Sequence, residues 1–391
     1  MQREFSNYRC VKYRPELKGQ ILELQKYMWS SDAALNAAYL EWKYGNNPYL
    51  DTKIYVVLCD EQIVGMLGAY GAKWQSGDSD PEFVVPCLGD LVFHPDHRQQ
   101  GLLSKIVAFA LDDLFNSGFM YIFDLSSGPD LILGMLMTGW RRAGFLQTSH
   151  WSAVQNKIPS GLRKYADRLT FVSSTYRLLR ENINKICFRH SHKQSPPFDA
   201  FDRNEVLRNS IPNVAIEKAP RAAAMADLVE RVGNYKCIRH LRDEQFYSWR
   251  FQNPLSQYRF LYWGDACLEG YLVLQVSGRI NEGKAWANLV DWEVSRAQVW
   301  SDLFEAIASL GNFDSISIWS ATLSKAIRSV LENFGFSFVD KTGIITKDVK
   351  QPTILVKSRY QEIPPSDWML GNRHLLDLAN WDLRMFYSDN Y

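Results

Sequence analysis

Apolar residues recur along this chain at two spacings, and the change from one to the other marks out its elements. Leu17, Ile21, Leu24 and Met28 follow a helical spacing, and a second helical stretch leads to Trp42. Apolar runs at 54–59 and 63–70 read as strands turned by Asp60, Glu61 and Gln62. Beyond a polar loop at 71–82 the pattern predicts a strand over 84–93, a helix over 99–116, a buried strand over 121–125, a helix near 129–138 and a last strand. In the 99–116 helix, Leu103, Ile106, Val107, Ala110, Leu111 and Leu114 make one apolar face. Ser104, Lys105, Asp112 and Asp113 fall largely on the other.

The same order then returns. YLEWKYGNNP (39–48) is answered by FYSWRFQNP (246–254), which aligns Trp42 with Trp249, Lys43 with Arg250 and Tyr44 with Phe251. The paired apolar runs at 54–67 match 260–272, each with a glycine, Gly65 or Gly270, and Gly139-Trp140 corresponds to Gly335-Phe336. An ordered series of matches argues for two copies of one unit. The second copy runs through 213–217, 220–232, 242–250, 258–277, 285–294, 298–310 and 315–319 to a helix at 322–334. The expected class is α/β: two tandem units, each a mixed, mostly antiparallel sheet flanked by helices. Trp42 and Trp249, kept in both copies, read as packing residues.

Composition narrows the function. A chain of 391 residues is too long for one ordinary core, in line with the repeat. Lys and Arg total 44 against 43 Asp and Glu, so no global field points to nucleic acid as a partner. Six cysteines (Cys10, Cys59, Cys87, Cys187, Cys237, Cys267) lie far apart, with neither zinc nor disulfide spacing. They read as reduced thiols in a cytoplasmic protein, and no metal is expected. No run approaches the length of a membrane span, and the first ten residues carry no apolar leader core.

The candidate chemistry lies in LGDLVFHPDHRQQGLLSKIV (88–107). A strand ends at Phe93, His94-Pro95-Asp96 turns the chain, and a helix opens near Arg98-Gln99-Gln100-Gly101. The first turn of a helix leaves backbone N–H groups unpaired at the positive end of its dipole. Gly101 lets a bulky anion approach that backbone, and Arg98 adds a full charge. A pyrophosphate fits such a place.

Arg98, Gln99, Gln100 and Gly101, after a strand and a His-Pro turn, resemble the pyrophosphate loop of the GNAT superfamily of N-acyltransferases. Leu103 stands where that loop usually has a small residue. The form R-x-x-G-L-L is similar to a branch that includes the aminoglycoside-acetylating "enhanced intracellular survival" enzymes. The W-K-Y…N-P element resembles GNAT proteins associated with bacterial surface-polysaccharide synthesis. These resemblances cover about 20–150, and the repeat extends them weakly to about 340. They imply two tandem GNAT-like units, with acetyl-CoA as acyl donor held by Arg98, Gln99, Gln100, Gly101, Leu102, Leu103 and Ser104. They imply an oxyanion site on the backbone of Leu91, Val92 and Phe93; Ser126 and its neighbour Ser127 read either as further contacts to the donor or as turn caps. The second copy has Arg296 but no glycine before its helix, so no such loop is expected there.

Direct acyl transfer needs a base, or a water chain, to take the proton of an attacking amine. Asp90 stands in an apolar run, where a carboxylate is costly unless it is paired or faces a cleft, so it is a candidate base or ammonium anchor. A salt-bridged structural role competes with that. Asp124, in YIFDLSS, is a similar candidate. The helix over 129–138 lacks the tyrosine acid of many GNAT enzymes. His94 and His97 read as turn residues near phosphate.

Segment 157–193 holds nine basic residues against two acids, with apolar residues at roughly helical spacing. It reads as a helical connector, and a basic amphipathic helix could also touch an anionic membrane surface or an acidic substrate. The expected organisation is an active first unit at 1–156, the basic linker at 157–210, a degenerate second unit at 211–350 and a tail at 351–391 packed on the body. The expected activity is acetyl transfer to a small-molecule or saccharide amine, with an amino sugar of a surface glycan or its precursor as leading acceptor. A non-catalytic CoA-binding sensor or scaffold, and transfer from aminoacyl-tRNA, are the rivals.

Overall fold

A computed structural model describes residues 8–77, 82–125, 127–152, 213–233, 236–265, 267–279, 284–310, 313–338, 352–360 and 364–388. The basic linker and Ser126 lie outside them. The first half runs β1 (Tyr8–Lys12), α1 (Lys18–Gln25), α2 (Ala33–Leu40), β2 (Lys53–Cys59), β3 (Gln62–Gln75), β4 (Phe83–Phe93), α3 (Leu102–Asn116), β5 (Tyr121–Asp124), α4 (Pro129–Met137), β6 (Arg141–Phe145) and β7 (Thr148–Ser152). The second runs β8 (Val214–Glu217), α5 (Ala222–Val232), β9 (Arg239–His240), α6 (Glu244–Arg250), β10 (Gln257–Trp263), β11 (Gly270–Arg279), β12 (Lys284–Val294), α7 (Ala297–Leu310), β13 (Phe313–Trp319), α8 (Lys325–Asn333) and β14 (Thr353–Ser358).

Local chemistry sets these boundaries. Asp60 and Glu61 adopt φ of 46° and 68°, the left-handed pair that a tight hairpin between β2 and β3 requires. The Asp32 carboxylate accepts from the N–H groups of Ala34 and Leu35 and starts α2, and Asp243 starts α6 in the same way at Phe246. The helix expected from residue 99 begins at Leu102, because Gln99 and Gly101 hold φ of 63° and 71° and a right-handed helix cannot pass through them.

The halves are two copies of one plan. Each sheet is antiparallel apart from one parallel pair, β4 with β5 and β12 with β13. On one face of the first sheet, Tyr55, Val57, Leu67, Leu88 and Ile122 pack on Ile106, Val107, Ala110 and Leu114 of α3. On the other, Val56, Met66, Tyr70, Trp74, Cys87 and Phe123 join α1, α2 and the aromatic side chains Phe246, Trp249, Trp381 and Phe386 of the second half. Trp42 and Trp249 meet there ring on ring, with centroids 5.5 Å apart. Each indole N–H donates to the other's backbone carbonyl at 2.8 Å, a reciprocal bond that puts a local two-fold axis between them.

Three strands cross between the halves; the shortest, β9, pairs with β3 at Trp74–His240 and Gln75–Arg239. The first sheet has the order β1-β2-β3-β4-β5-β14-β6, so its strand between β5 and β6 comes from the far end of the chain. The second has the order β7-β13-β12-β11-β10-β8, and β7, continuing past β6, pairs with β13 and bridges Ser337. Each unit is therefore completed by a strand of the other.

His240 sits at this junction, stacked on Tyr387 with centroids 3.8 Å apart and edge-on to Trp74. Neither ring nitrogen has a hydrogen-bond partner among the described residues. Burial, and then the charges of Arg250 and Arg242, push its pKa well below the ordinary histidine value. The unfolded chain therefore takes up this proton first as the pH falls below about 6.5, and stability present above that pH is lost beneath it. Denaturant unfolding at pH 7.5 and 5.5 should show the wild type losing up to about 1.4 kcal/mol more over that interval than His240→Phe. Equal losses would show that His240 does not titrate on unfolding.

Candidate functional site

The site begins where two strands part. β4 and β5 pair only at Cys87 with Phe123 and Leu88 with Asp124. β3 stays with β4 as far as Phe93. The His94 N–H donates to the Val64 carbonyl at 2.9 Å, so by the alternation of an antiparallel ladder Phe93 turns its amide and carbonyl away from β3, into the opening. Val92, between Leu91 and Phe93, faces β3.

A bulge lies at the start of this opening. The β3–β4 register shifts between Met66 and Gly68, and Asp90 takes φ of 53°, a left-handed conformation that is strained for a non-glycine residue. Its side chain is fully buried and bonded: Lys43 Nζ at 2.9 Å and the Tyr39 hydroxyl at 3.2 Å reach Oδ1, and the Tyr44 hydroxyl reaches Oδ2 at 2.7 Å. The competing reading of Asp90, a paired acid, is thus what its surroundings display.

The backbone of α2 makes this convergence possible. Tyr39 and Lys43, four residues apart, share a face of an α-helix, whereas a residue five on would point about 140° away. From Glu41 to Gly45 the chain winds as a π-helix, and the Asn46 N–H bonds to the Glu41 carbonyl at 2.7 Å. The wider turn brings Tyr44 round to the carboxylate. Its hydroxyl crosses over Gly68, where an added Cβ would fall 1.9 Å away. Lys43, Tyr39 and Tyr44 were not singled out by sequence reasoning as site residues. The available signal was a lysine in the apolar stretch AAYLEWKYG, four residues after a tyrosine.

After Phe93 the chain makes one 3-10 turn, Pro95–His97, and reaches the loop. Arg98 Nε donates to the Phe93 carbonyl at 3.2 Å, which ties the loop to the end of β4. The left-handed residues Gln99 and Gly101 alternate with Gln100, and such an alternation turns successive amides toward one concave side. No side chain caps the first turn of α3, and the Ser104 hydroxyl bonds back to the Gly101 carbonyl at 3.0 Å. Arg98, Gln99, Gln100, Gly101 and Ser104 are exposed, Leu102 is buried, and Leu103 is half-buried against Gly134. Nothing lies within 4 Å of where a Cβ on Gly101 would stand. The amides of Leu102, Leu103 and Ser104 therefore open onto a concavity suited to a large anion. His94 and His97 flank it, bonded to Tyr27 and Tyr8 at 3.1 Å each.

Asp124 ends β5. Its carboxylate accepts from the Ser127 N–H at 2.8 Å and the Ser127 hydroxyl at 2.5 Å, the geometry of a turn cap. Among the described residues, no group of three His, Cys, Asp or Glu side chains could hold a metal ion. No described helix is long and apolar enough to cross a membrane.

The second unit keeps the acid but not the loop. Asp291 matches Asp90, and it bonds Arg242 at 3.0 Å and Tyr271 at 2.8 Å in a fully buried cluster. Burial pushes its pKa up against the pull of Arg242 and Arg384. Arg296, the counterpart cation, pairs with Glu269 at 2.9 Å and lies over the Trp263 ring.

Solved structures share this fold. One, from Enterococcus faecalis V583 and described as a probable N-acyltransferase, superposes with a TM-score of 0.55 at 12% identity, over 90% of this chain and 73% of its own. A GCN5-related N-acetyltransferase from Anabaena variabilis has the same TM-score and coverage at 10% identity. Comparison with the curated proteins finds no match. Residues 12–123, which run from the end of β1 through the bulge, the loop and α3 into β5, match the model of the acetyltransferase (GNAT) domain family.

Proposed function

We propose that this protein transfers an acetyl group from acetyl-CoA to an amine. The observation that carries the reading is a continuous surface: β4 parts from β5, offers backbone groups of Leu91 and Phe93 to the opening, and leads through Arg98 into an uncapped helix start. Acetyl-CoA would supply the acyl group, its pyrophosphate held by Arg98, Gln99, Gln100 and the amides of Gly101, Leu102, Leu103 and Ser104. The amides of Leu91 and Phe93 would orient the acyl carbonyl, which gains negative charge as the amine attacks. Asp90 acts as a positioning residue: held by Lys43, Tyr39 and Tyr44, it fixes the bulge and hence those amides. The acceptor approaches from the junction of the two halves, and an amino sugar is the leading class. None of the five described cysteines forms a disulfide, which suits the cytoplasm, where acetyl-CoA is available.

Calorimetric titration with acetyl-CoA tests the reading. Wild type should bind one equivalent saturably, and Gly101→Glu, which puts a like charge and a strained left-handed side chain at the loop, should bind on the order of 100-fold more weakly, about 2.7 kcal/mol. Gly101→Asn, which tolerates that backbone, should stay folded and lose less. A folded wild type that fails to bind acetyl-CoA would sink the proposal. Binding with no transfer to any amine would favour a sensor.

A further inference from the structure

Gln25 breaks a rule that the rest of α1 obeys. It shares a buried face with Ile21 and Leu24, on the helix that packs against β3 and β4. It is fully buried, yet neither atom of its carboxamide has a hydrogen-bond partner among the described residues. One turn on, the Trp29 N–H bonds to the Gln25 carbonyl at 2.8 Å, which keeps the two side chains on one face. The buried indole Nε1 of Trp29 also lacks a partner. The Trp29 ring lies 5.1 Å from that of Tyr39, whose hydroxyl bonds Asp90 at the bulge. Trp29 thus stands one ring away from the side chain that holds the Asp90 bulge, with Gln25 one helical turn before it.

Folding gives no reason for a glutamine here. A leucine would fill the position without stranding two polar atoms, so the carboxamide destabilises the free protein. Sites that violate such rules are where function is expected. A carboxamide both donates and accepts and an indole N–H donates, and this set matches a hydroxyl, which also does both.

We propose that Gln25 and Trp29 determine acceptor specificity by binding a hydroxyl carried next to the reacting amine, so that the protein selects hydroxylated amines over apolar ones. This rests on the acetyl-transfer reading and narrows its acceptor class. A site built to hydrogen-bond a hydroxyl rejects the analogue lacking it, because its own buried groups then stay unpaired.

The test compares acetyl transfer from acetyl-CoA to glucosamine and to cyclohexylamine, a six-membered ring amine without hydroxyls. Wild type, Gln25→Leu and Trp29→Phe are each measured, together with thermal unfolding. Wild type should favour glucosamine by about 100-fold or more in kcat/KM. Gln25→Leu should cut that ratio at least about tenfold through KM for glucosamine, leave KM for acetyl-CoA unchanged, and raise Tm. Trp29→Phe should shift the ratio the same way, which covers the case of a poorly folded Gln25 variant. Transfer to both amines alike by wild type, or a ratio unchanged in both variants, overturns this assignment alone. Acetyl-CoA binding with transfer to neither amine also overturns this assignment, whereas a folded wild type that fails to bind acetyl-CoA overturns the acetyl-transfer reading itself.

Discussion

Residues 8–152, expressed alone, should fail to fold, although they contain the whole segment that matches the acetyltransferase domain. One missing piece is β14; β9 and the aromatic face of Phe246, Trp249, Trp381 and Phe386 are others. β14 pairs with β5 at Leu355–Asp124 and Val356–Phe123, and with β6 at Thr353–Phe145 and Ile354–Gly144. Ile354, Leu355 and Val356 are each fully buried, with Leu355 against α3 and α4 and the other two on the opposite face. At about 1.5–3 kcal/mol for each buried aliphatic side chain, the strand contributes roughly 5–9 kcal/mol, a sum comparable to the whole stability of a domain. Its loss also leaves two strand edges unpaired. The pairing suggests a rescue: the Leu146 N–H bonds to the Pro352 carbonyl at 2.8 Å, so a short turn joining 146 to 352 would make β6 and β14 a hairpin. A protein of residues 8–146, that turn and residues 352–360 should recover part of the lost stability relative to the plain fragment, while its Trp42 and Trp74 face still lacks the aromatic side chains of the second half. A cooperative transition in the plain 8–152 fragment would refute the dependence on β14.

Lys43→Met should be among the most damaging single substitutions, at about 3–5 kcal/mol in denaturant unfolding, because it strands a buried carboxylate. The Lys43 and Asp90 side chains are 1% and 0% exposed, so water cannot take over the lost contact. Tyr39 and Tyr44 still donate to Asp90 but carry no charge. The double variant Lys43→Met/Asp90→Leu removes both ions and should be markedly less harmful than the two single effects added together. A cost below about 1 kcal/mol for Lys43→Met would mean that the carboxylate is protonated or rehydrated, against the geometry described.

Much of this architecture can be read from the chain itself. The strands expected at 54–59, 84–93 and 315–319 fall within two residues of β2, β4 and β13, because apolar runs bounded by turn residues reflect a local preference. The repeat was legible for a related reason: Trp42 and Trp249 recur because each is the other's packing partner. The loop was legible from Arg98 and Gly101, although its helix starts three residues later than the apolar pattern suggests. Other features leave no local trace. TILVKS at 353–358 fell within the expected tail, and alternation cannot name a strand's neighbours, so its place between β5 and β6 was hidden. The convergence on Asp90 was hidden because Tyr44 reaches it through a π turn, which a 3.6-residue period does not reveal. The unpaired state of Gln25 is a property of what surrounds it in space, and QILELQ does not show it.

The exchanged strand also sets a timetable for synthesis. Phe145 leaves the ribosome long before its pairing partner Thr353. At about 5–20 residues per second, β5 and β6 wait roughly 10–40 s with open edges facing one another. Such edges are templates for pairing with other chains. A nascent copy is thus exposed to neighbours on the same message, which carry the very strand it lacks, so pairing between chains competes with pairing within one.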